Sequence, residues 1–312
     1  MSRKLVNTKK ISYEDWVEIR KRSIGGSDAS TVMNENKYSS LYALYTDKLG
    51  LVKPKQTNIA MARGTHDEEF VAQLFCQETG LKVRNDFIMY QHDDYDFITA
   101  NIDRKVVGEN AGLECKTTMA YGPKDFENGN CPANYYWQCQ QYMAVMGFDR
   151  MYLAVLTNYN QFIYTIILRD DEAIERLIKA ECDFWNDHIL TEIPPEVDGS
   201  DATTDALKEL YPESNGETIE ADVDMDIELY LQADAEIKKW EERKKMAQQR
   251  VIEKLGSAEC GVGRFYQATY KSQVTNRFDS TRFKKEHPDM AAQYNKVSES
   301  RRFTIKEMKI NE

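Results

Sequence analysis

The sequence predicts an α/β (α+β) fold, a small central mixed sheet flanked by helices and followed by a C-terminal helical and β extension. Three observations lead there. Helical and strand-like stretches mix over the first 190 residues, and two of the strands meet at a Gly-containing turn. Beyond them the composition becomes strongly acidic, and then passes into one long charged helix with a basic tail. A chain of 312 residues can bury a sizeable core, as one large domain or two modest ones. The expected organisation is a core over 1–190, an acidic linker or excursion over 191–228, and an extension over 229–312.

Taken in order, Glu14–Lys21, Ser27–Met33 and Ser40–Leu49 read as helices. Asp67–Thr79 reads as another, opened by Arg63-Gly64-Thr65-His66-Asp67-Glu68-Glu69, with Phe70, Leu74 and Phe75 on its core side. Lys82–Tyr90, Phe97–Ile102, Lys105–Val107 and Leu113–Thr117 read as strands, with Gly108-Glu109-Asn110-Ala111-Gly112 as a turn between the last two. Pro132–Met146 is helical, Arg150–Leu156 and Gln161–Leu168 form an apolar hairpin, and Asp170–Asp187 is a helix with acids in its first turn. Leu229–Leu255 is a long charged helix. Its apolar positions (Leu231, Ile237, Trp240, Met246, Val251) are too irregular for a coiled coil, which leaves packing on the core or a partner-binding role. Gly261–Lys271 reads as a strand pair, then a helix ends near His287-Pro288, and Arg301–Lys306 reads as a final strand.

Composition narrows the function classes. No apolar run reaches membrane-spanning length and Met1-Ser2-Arg3-Lys4 is not a secretory leader, so a cytoplasmic protein is expected. The six cysteines form no CxxC pair, which argues against a zinc or iron–sulfur centre. There is no GK[ST] phosphate loop, so an ATP-driven motor is not expected. Net charge is −11, yet 192–228 alone holds thirteen acids against one base, and the rest is near neutral. Basic patches at Arg20-Lys21-Arg22, at Lys53 with Lys55, and in the C-terminal tail remain compatible with a polyanion. The tail interleaves Lys271, Arg277, Arg282, Lys284, Lys285, Arg301 and Arg302 with Phe and Tyr, a composition suited to nucleic acid or simply to solvent.

The chemistry concentrates in the middle of the chain. Asp103 ends one strand, and Glu114-Cys115-Lys116 lies in the next. Alternation puts Glu114 and Lys116 on one face and turns Cys115 to the other, towards the core. A hairpin then brings Asp103 alongside, giving two carboxylates and an ammonium in one pocket. Two hard anionic ligands suit Mg²⁺, which keeps waters and often shares substrate phosphate. The lysine can orient or deprotonate a water and offset phosphate charge. On an exposed surface, the same trio would be an accident of a chain that is 30% charged. Glu68 on its helix, then Gln138-x-x-x-Tyr142 on the helix that follows, supply the context.

With these motifs in this order, about Tyr13 to Leu156 resembles the PD-(D/E)XK nucleases, and within them the phage exonucleases of the YqaJ and lambda-exonuclease type. Trp16-x-x-x-Arg20 and Ile24-Gly25-Gly26-Ser27-Asp28-Ala29-Ser30 carry the N-terminal part of that resemblance. It implies a restriction-endonuclease-like core. By resemblance, Asp103 and Glu114 are the central metal ligands, Glu68 and the Cys115 backbone carbonyl complete the set, and Lys116 is the catalytic lysine. Gln138 would position the lysine or the water; Arg20 and Ser27 would hold a 5′-phosphate, and Tyr142, one turn after Gln138, would join them as a DNA-binding residue. Where the family often has Pro before the first aspartate, this chain reads Asn101-Ile102-Asp103, which alters rigidity rather than ligand chemistry.

The same resemblance implies two Mg²⁺ ions per site with Mn²⁺ able to substitute, duplex DNA ends as substrate, a homotrimer, and a single-strand annealing protein as partner. The expected activity is 5′→3′ digestion of linear duplex ends in phage recombination. Two alternatives stay open: an endonuclease on the same fold, and a non-catalytic end-binding or assembly protein.

Overall fold

The computed structural model describes residues 2–54, 58–157, 161–296 and 300–306, so Lys55 lies outside the described residues. Helix starts in the first part of the chain coincide with side chains that cap them. Ser12 accepts from the Asp15 amide to open α1 (Tyr13–Lys21), and Ser40 accepts from Ala43 to open α3 (Leu41–Lys48). Between them, a 3₁₀ turn at Gly26–Asp28 leads into the short α2 (Ala29–Val32). Asn58 caps α4 (Ile59–Thr79), which therefore begins eight residues before the expected Asp67. Gly64 and Glu68 consequently sit inside this helix rather than at its opening. α5 (Ala133–Met146) and α6 (Asp171–Phe184) follow, the latter capped by Asp170.

The sheets position the site. β1 (Arg3–Asn7), not foreseen from the sequence, pairs with β3 (Ile88–Gln91), and β3 pairs with the two-residue β4 (Thr99–Ala100). The larger sheet has the order β2 (Val83–Asn85), β5 (Arg104–Val106), β6 (Ala111–Thr118), β7 (Arg150–Thr157), β8 (Phe162–Leu168). Only β6 and β7 run parallel, so the sheet is mixed. The expected single strand over Lys82–Tyr90 is thus two strands in two sheets. Asp86 makes the break, its carboxylate accepting from the Ile88 amide.

A parallel pair requires a crossover, and α5 supplies it between β6 and β7. On the α5 face of β7 lie Met151, Leu153 and Val155, packed with Cys139, Met143 and Ile102. On the opposite face Tyr152, Ala154 and Leu156 pack with Cys115, Val71 and Phe75 of α4. Gly112 is needed at the parallel seam, because a Cβ there would stand 2.6 Å from Met151 Sδ.

The first compact unit runs to Tyr211, past the expected boundary at 190. The acid-rich stretch is the reason: it contains α7 (Asp201–Leu210), capped by Ser200, and Thr203 Oγ1 meets Ser40 Oγ at 2.8 Å in the interior. The second unit, Pro212–Glu312, holds α8 (Asp224–Leu255), the hairpin β9 (Cys260–Val262) with β10 (Gln267–Thr269), α9 (Ser280–Glu286) and α10 (Pro288–Gln293). Arg301–Lys306, expected as a strand, has no strand pairing among the described residues. No helix among the described residues is long and apolar enough to cross a membrane.

Candidate active site

The β5–β6 ladder does what the strand period predicts. Arg104 pairs with Leu113, which sets Asp103 beside Glu114 at the open end of the hairpin. The Cys115 amide donates to Asp103 Oδ2 at 2.8 Å, locking that carboxylate onto the neighbouring strand. Glu114 and Lys116 share a face, with Lys116 Nζ 2.5 Å from Glu114 Oε1. Cys115 turns the other way into the core, as expected.

Helix α5 closes the site from above. Gln138 Nε2 donates to Glu114 Oε1 at 2.7 Å and to the Tyr142 hydroxyl at 2.8 Å. Tyr135 puts its ring 5.6 Å from Lys116 Nζ. Glu114 thus has one oxygen shared by Lys116 and Gln138, while its buried Oε2 has no partner among the described residues. An orphaned buried carboxylate oxygen is costly unless something cationic meets it.

Electrostatics follow from that crowding. Burial pushes Asp103 well above the usual carboxylate range, and Glu114 and Glu68 push it further; Lys116 and the Cys115 amide only partly offset this. Burial works against a charged Lys116, but Glu114 and Asp103 outweigh it and hold the ammonium above its ordinary value. Cys115 is raised too, first by burial and then by Asp103, so it is no thiolate.

Glu68 is placed on α4 beside this group but is engaged elsewhere. Arg104, 6% exposed at its side chain, pairs with Glu68 and with Glu69 at 3.1 Å, and donates to the Asp103 carbonyl at 2.9 Å. Among the described residues no three His, Cys, Asp or Glu side chains group closely enough to hold a metal ion. The donor set nevertheless fits a hard divalent cation. Asp103, the unpartnered Glu114 Oε2 and carbonyl oxygen are hard ligands, and Mg²⁺ needs only one or two carboxylates besides water and phosphate. Arg104 was missed from sequence, because nothing local marks a strand arginine as a clamp on a distant helix. His66, two residues before Glu68, is an exposed side chain bonded to Asp67.

The expected phosphate residues form a second cluster. Arg20 Nη2 donates to Ser27 Oγ at 3.0 Å and lies 3.3 Å from Asp28 Oδ1, with its guanidinium over the Trp16 ring. Lys48, almost wholly buried, pairs with Asp28 Oδ2 at 2.7 Å and donates to the Arg20 carbonyl at 2.9 Å. Asp28 also accepts from the Gly25 amide. Burial raises Asp28, but Lys48 and Arg20 more than reverse that and leave it below the ordinary range.

Tyr142 joins the two clusters. Read from sequence among the DNA-binding residues, it is only 4% exposed; its ring meets Gly26 and its hydroxyl meets Gln138. A Cβ on Gly26 would stand 2.4 Å from Tyr142 Cε1, so this glycine is required by close approach. Gly26→Ala should therefore cost about 1–3 kcal/mol in urea unfolding. It should also depress activity by shifting Tyr142 from Gln138; an unchanged midpoint and rate would show the ring to be free to move.

Residues 15–149 match the YqaJ-like viral recombinase domain. The chain is 37% identical over 310 residues to the Bacillus subtilis protein YqaJ, covering 97% of both. Among solved structures it is similar to an alkaline exonuclease from Laribacter hongkongensis, with 22% identity and a TM-score of 0.49 over 57% of this chain and 93% of that one. A phage-related exonuclease from Haemophilus somnus gives 16% identity and a TM-score of 0.44 over 55% of this chain and 96% of that one.

Proposed function

For this chain, which belongs to the YqaJ family of viral recombinase proteins, we propose a metal-dependent deoxyribonuclease that digests linear duplex ends in the 5′→3′ direction. One observation carries the reading: Asp103 and Glu114 stand side by side on one ladder, with a Glu114 oxygen buried and unpartnered next to a charged lysine. A binding module has no use for that expensive arrangement. Two divalent ions, Mg²⁺ with Mn²⁺ as substitute, would stabilise the attacking and leaving oxygens of an in-line displacement.

Asp103, Glu114, the Cys115 carbonyl and, when released by Arg104, Glu68 are the residues that would hold the ions. Lys116, kept protonated by its two carboxylate neighbours, donates to the water or the phosphate and offsets developing charge. Gln138 fixes Glu114 and so the lysine. Arg20 and Ser27 present a guanidinium fork and a hydroxyl to the 5′-phosphate. Digestion in this sense leaves a single strand for an annealing partner in the host cytoplasm, and a trimer is the assembly this reading expects.

The test uses Mg²⁺ with linear duplexes bearing 5′-phosphate or 5′-hydroxyl, closed circular duplex, and a Lys116→Ala control. Digestion of the phosphorylated linear duplex alone is expected. Arg20→Gln should remove about tenfold or more of the preference for phosphate, in line with one lost charged hydrogen bond. Cleavage of the circle would make the protein an endonuclease, and inactivity on every substrate would make it a binding protein.

A further inference from the structure

None of the described side chains of the second unit is buried. Its hairpin is nevertheless sharply defined. β9 and β10 pair in register, the Gly263 amide donates to the Tyr266 carbonyl at 2.8 Å, and the two-residue tip is Arg264-Phe265. The root is anchored: Leu255 at the end of α8 fills the space that a Cβ on Gly261 would need. The tip is not. Phe265 is 77% exposed and Tyr266 87%, with the Arg264 guanidinium 5.1 Å from the Phe265 ring centre.

Two aromatic rings held at a tight turn beside a cation are costly to leave in water, and the charge of the segment that carries them selects the occupant. From Gly256 to Lys306 there are ten Lys and Arg against five Asp and Glu, in a chain that is otherwise acidic. Excess positive charge calls for a polyanion, and exposed ring faces call for bases whose own faces are free. Duplex DNA hides those faces in its stack; a single strand offers them. We propose that Arg264, Phe265 and Tyr266 form a contact for single-stranded DNA, rings stacking on bases and Arg264 meeting phosphate. The source of the strand rests on the nuclease reading, since end digestion would leave one, but the binding itself does not.

Fluorescence anisotropy of a labelled oligothymidine with the full-length chain, in EDTA so that nothing is cut, measures the contact directly. Phe265→Ala with Tyr266→Ala should weaken binding about tenfold to a hundredfold, the loss of one or two stacked bases. Phe265→Trp with Tyr266→Phe should restore it, and Arg264→Gln should flatten the salt dependence. Because Phe265 and Tyr266 are remote in sequence from the catalytic set, digestion of short phosphorylated duplexes by the alanine variant supplies the control for folding. Wild-type protein that ignores the oligonucleotide, or an alanine variant that binds it equally well, overturns the proposal while leaving the nuclease reading standing. A change in molecular mass on light scattering with binding unaltered would also overturn it, by assigning the tip to contact between copies of the chain.

Discussion

Lys116→Ala should reduce the initial rate of duplex digestion by about a hundredfold to ten-thousandfold, the range spanned by a lost proton-handling or charge-stabilising group. The wild-type lysine is charged because Glu114 and Asp103 outweigh the burial that opposes its charge. Alanine removes that charge and leaves Glu114 Oε1 with Gln138 alone. Because Glu114 and Asp103 then repel each other with less compensation, divalent ions should bind at least as tightly to the variant as to the wild type. Calorimetry with Ca²⁺ reads that arm independently of turnover. A rate within threefold of wild type would remove Lys116 from the reaction. A large rate loss with metal binding also abolished would instead mean that the lysine holds the carboxylates in place.

The candidate catalytic face is legible in the sequence because it depends on one short-range rule. Alternation in β6 fixes Glu114 and Lys116 together, and a tight hairpin fixes Asp103 opposite. Helical spacing likewise puts Gln138 and Tyr142 on one face of α5. What could not be read depends on contacts between distant segments. Arg104 reaches Glu68 and Glu69 on α4, and Lys48 reaches Asp28 across twenty residues. Neither lysine nor arginine carries a local signal that separates a buried clamp from a solvated side chain. Tyr142 was read as a DNA contact because its sequence spacing reveals the helix face but not how closely Gly26 approaches it.

The acid-rich stretch failed for a different reason. Its composition is that of a solvated linker, yet Ser200 caps α7 and Thr203 packs on Ser40, so two local polar signals outweighed the average charge. The split of 82–90 into β2 and β3 was also local in origin. Asp86 turns the chain and ties Tyr90 and Lys105, at 2.8 Å from each, into the seam between the sheets. An apolar run gives no warning of that turn.

Lys48→Met should be strongly destabilising while sparing the candidate catalytic residues, costing about 3–5 kcal/mol in urea unfolding at neutral pH. The substitution keeps the side-chain length but strands Asp28, whose carboxylate would retain only the partly exposed Arg20 as a cationic partner. Glu181 makes the situation worse. It is fully buried on α6 with neither oxygen hydrogen-bonded to any described residue, and burial, then Asp28, push its carboxyl well above the ordinary range. The two acids therefore carry opposite pH signatures. Asp28 titrates below its unfolded value near 3.8, so its contribution is present above that pH and lost as pH falls through the folded value. Glu181 titrates above its unfolded value near 4.5, so its penalty grows as pH rises past that point. The deficit of Lys48→Met should accordingly shrink towards pH 4, where a stranded Asp28 can take a proton. Glu181→Gln should stabilise the wild-type background increasingly as pH rises above about 4.5, and should recover part of the Lys48→Met loss when the two are combined. A deficit that is the same at every pH, with no recovery in the double variant, would mean that Lys48 acts through packing and its bond to the Arg20 carbonyl rather than through charge.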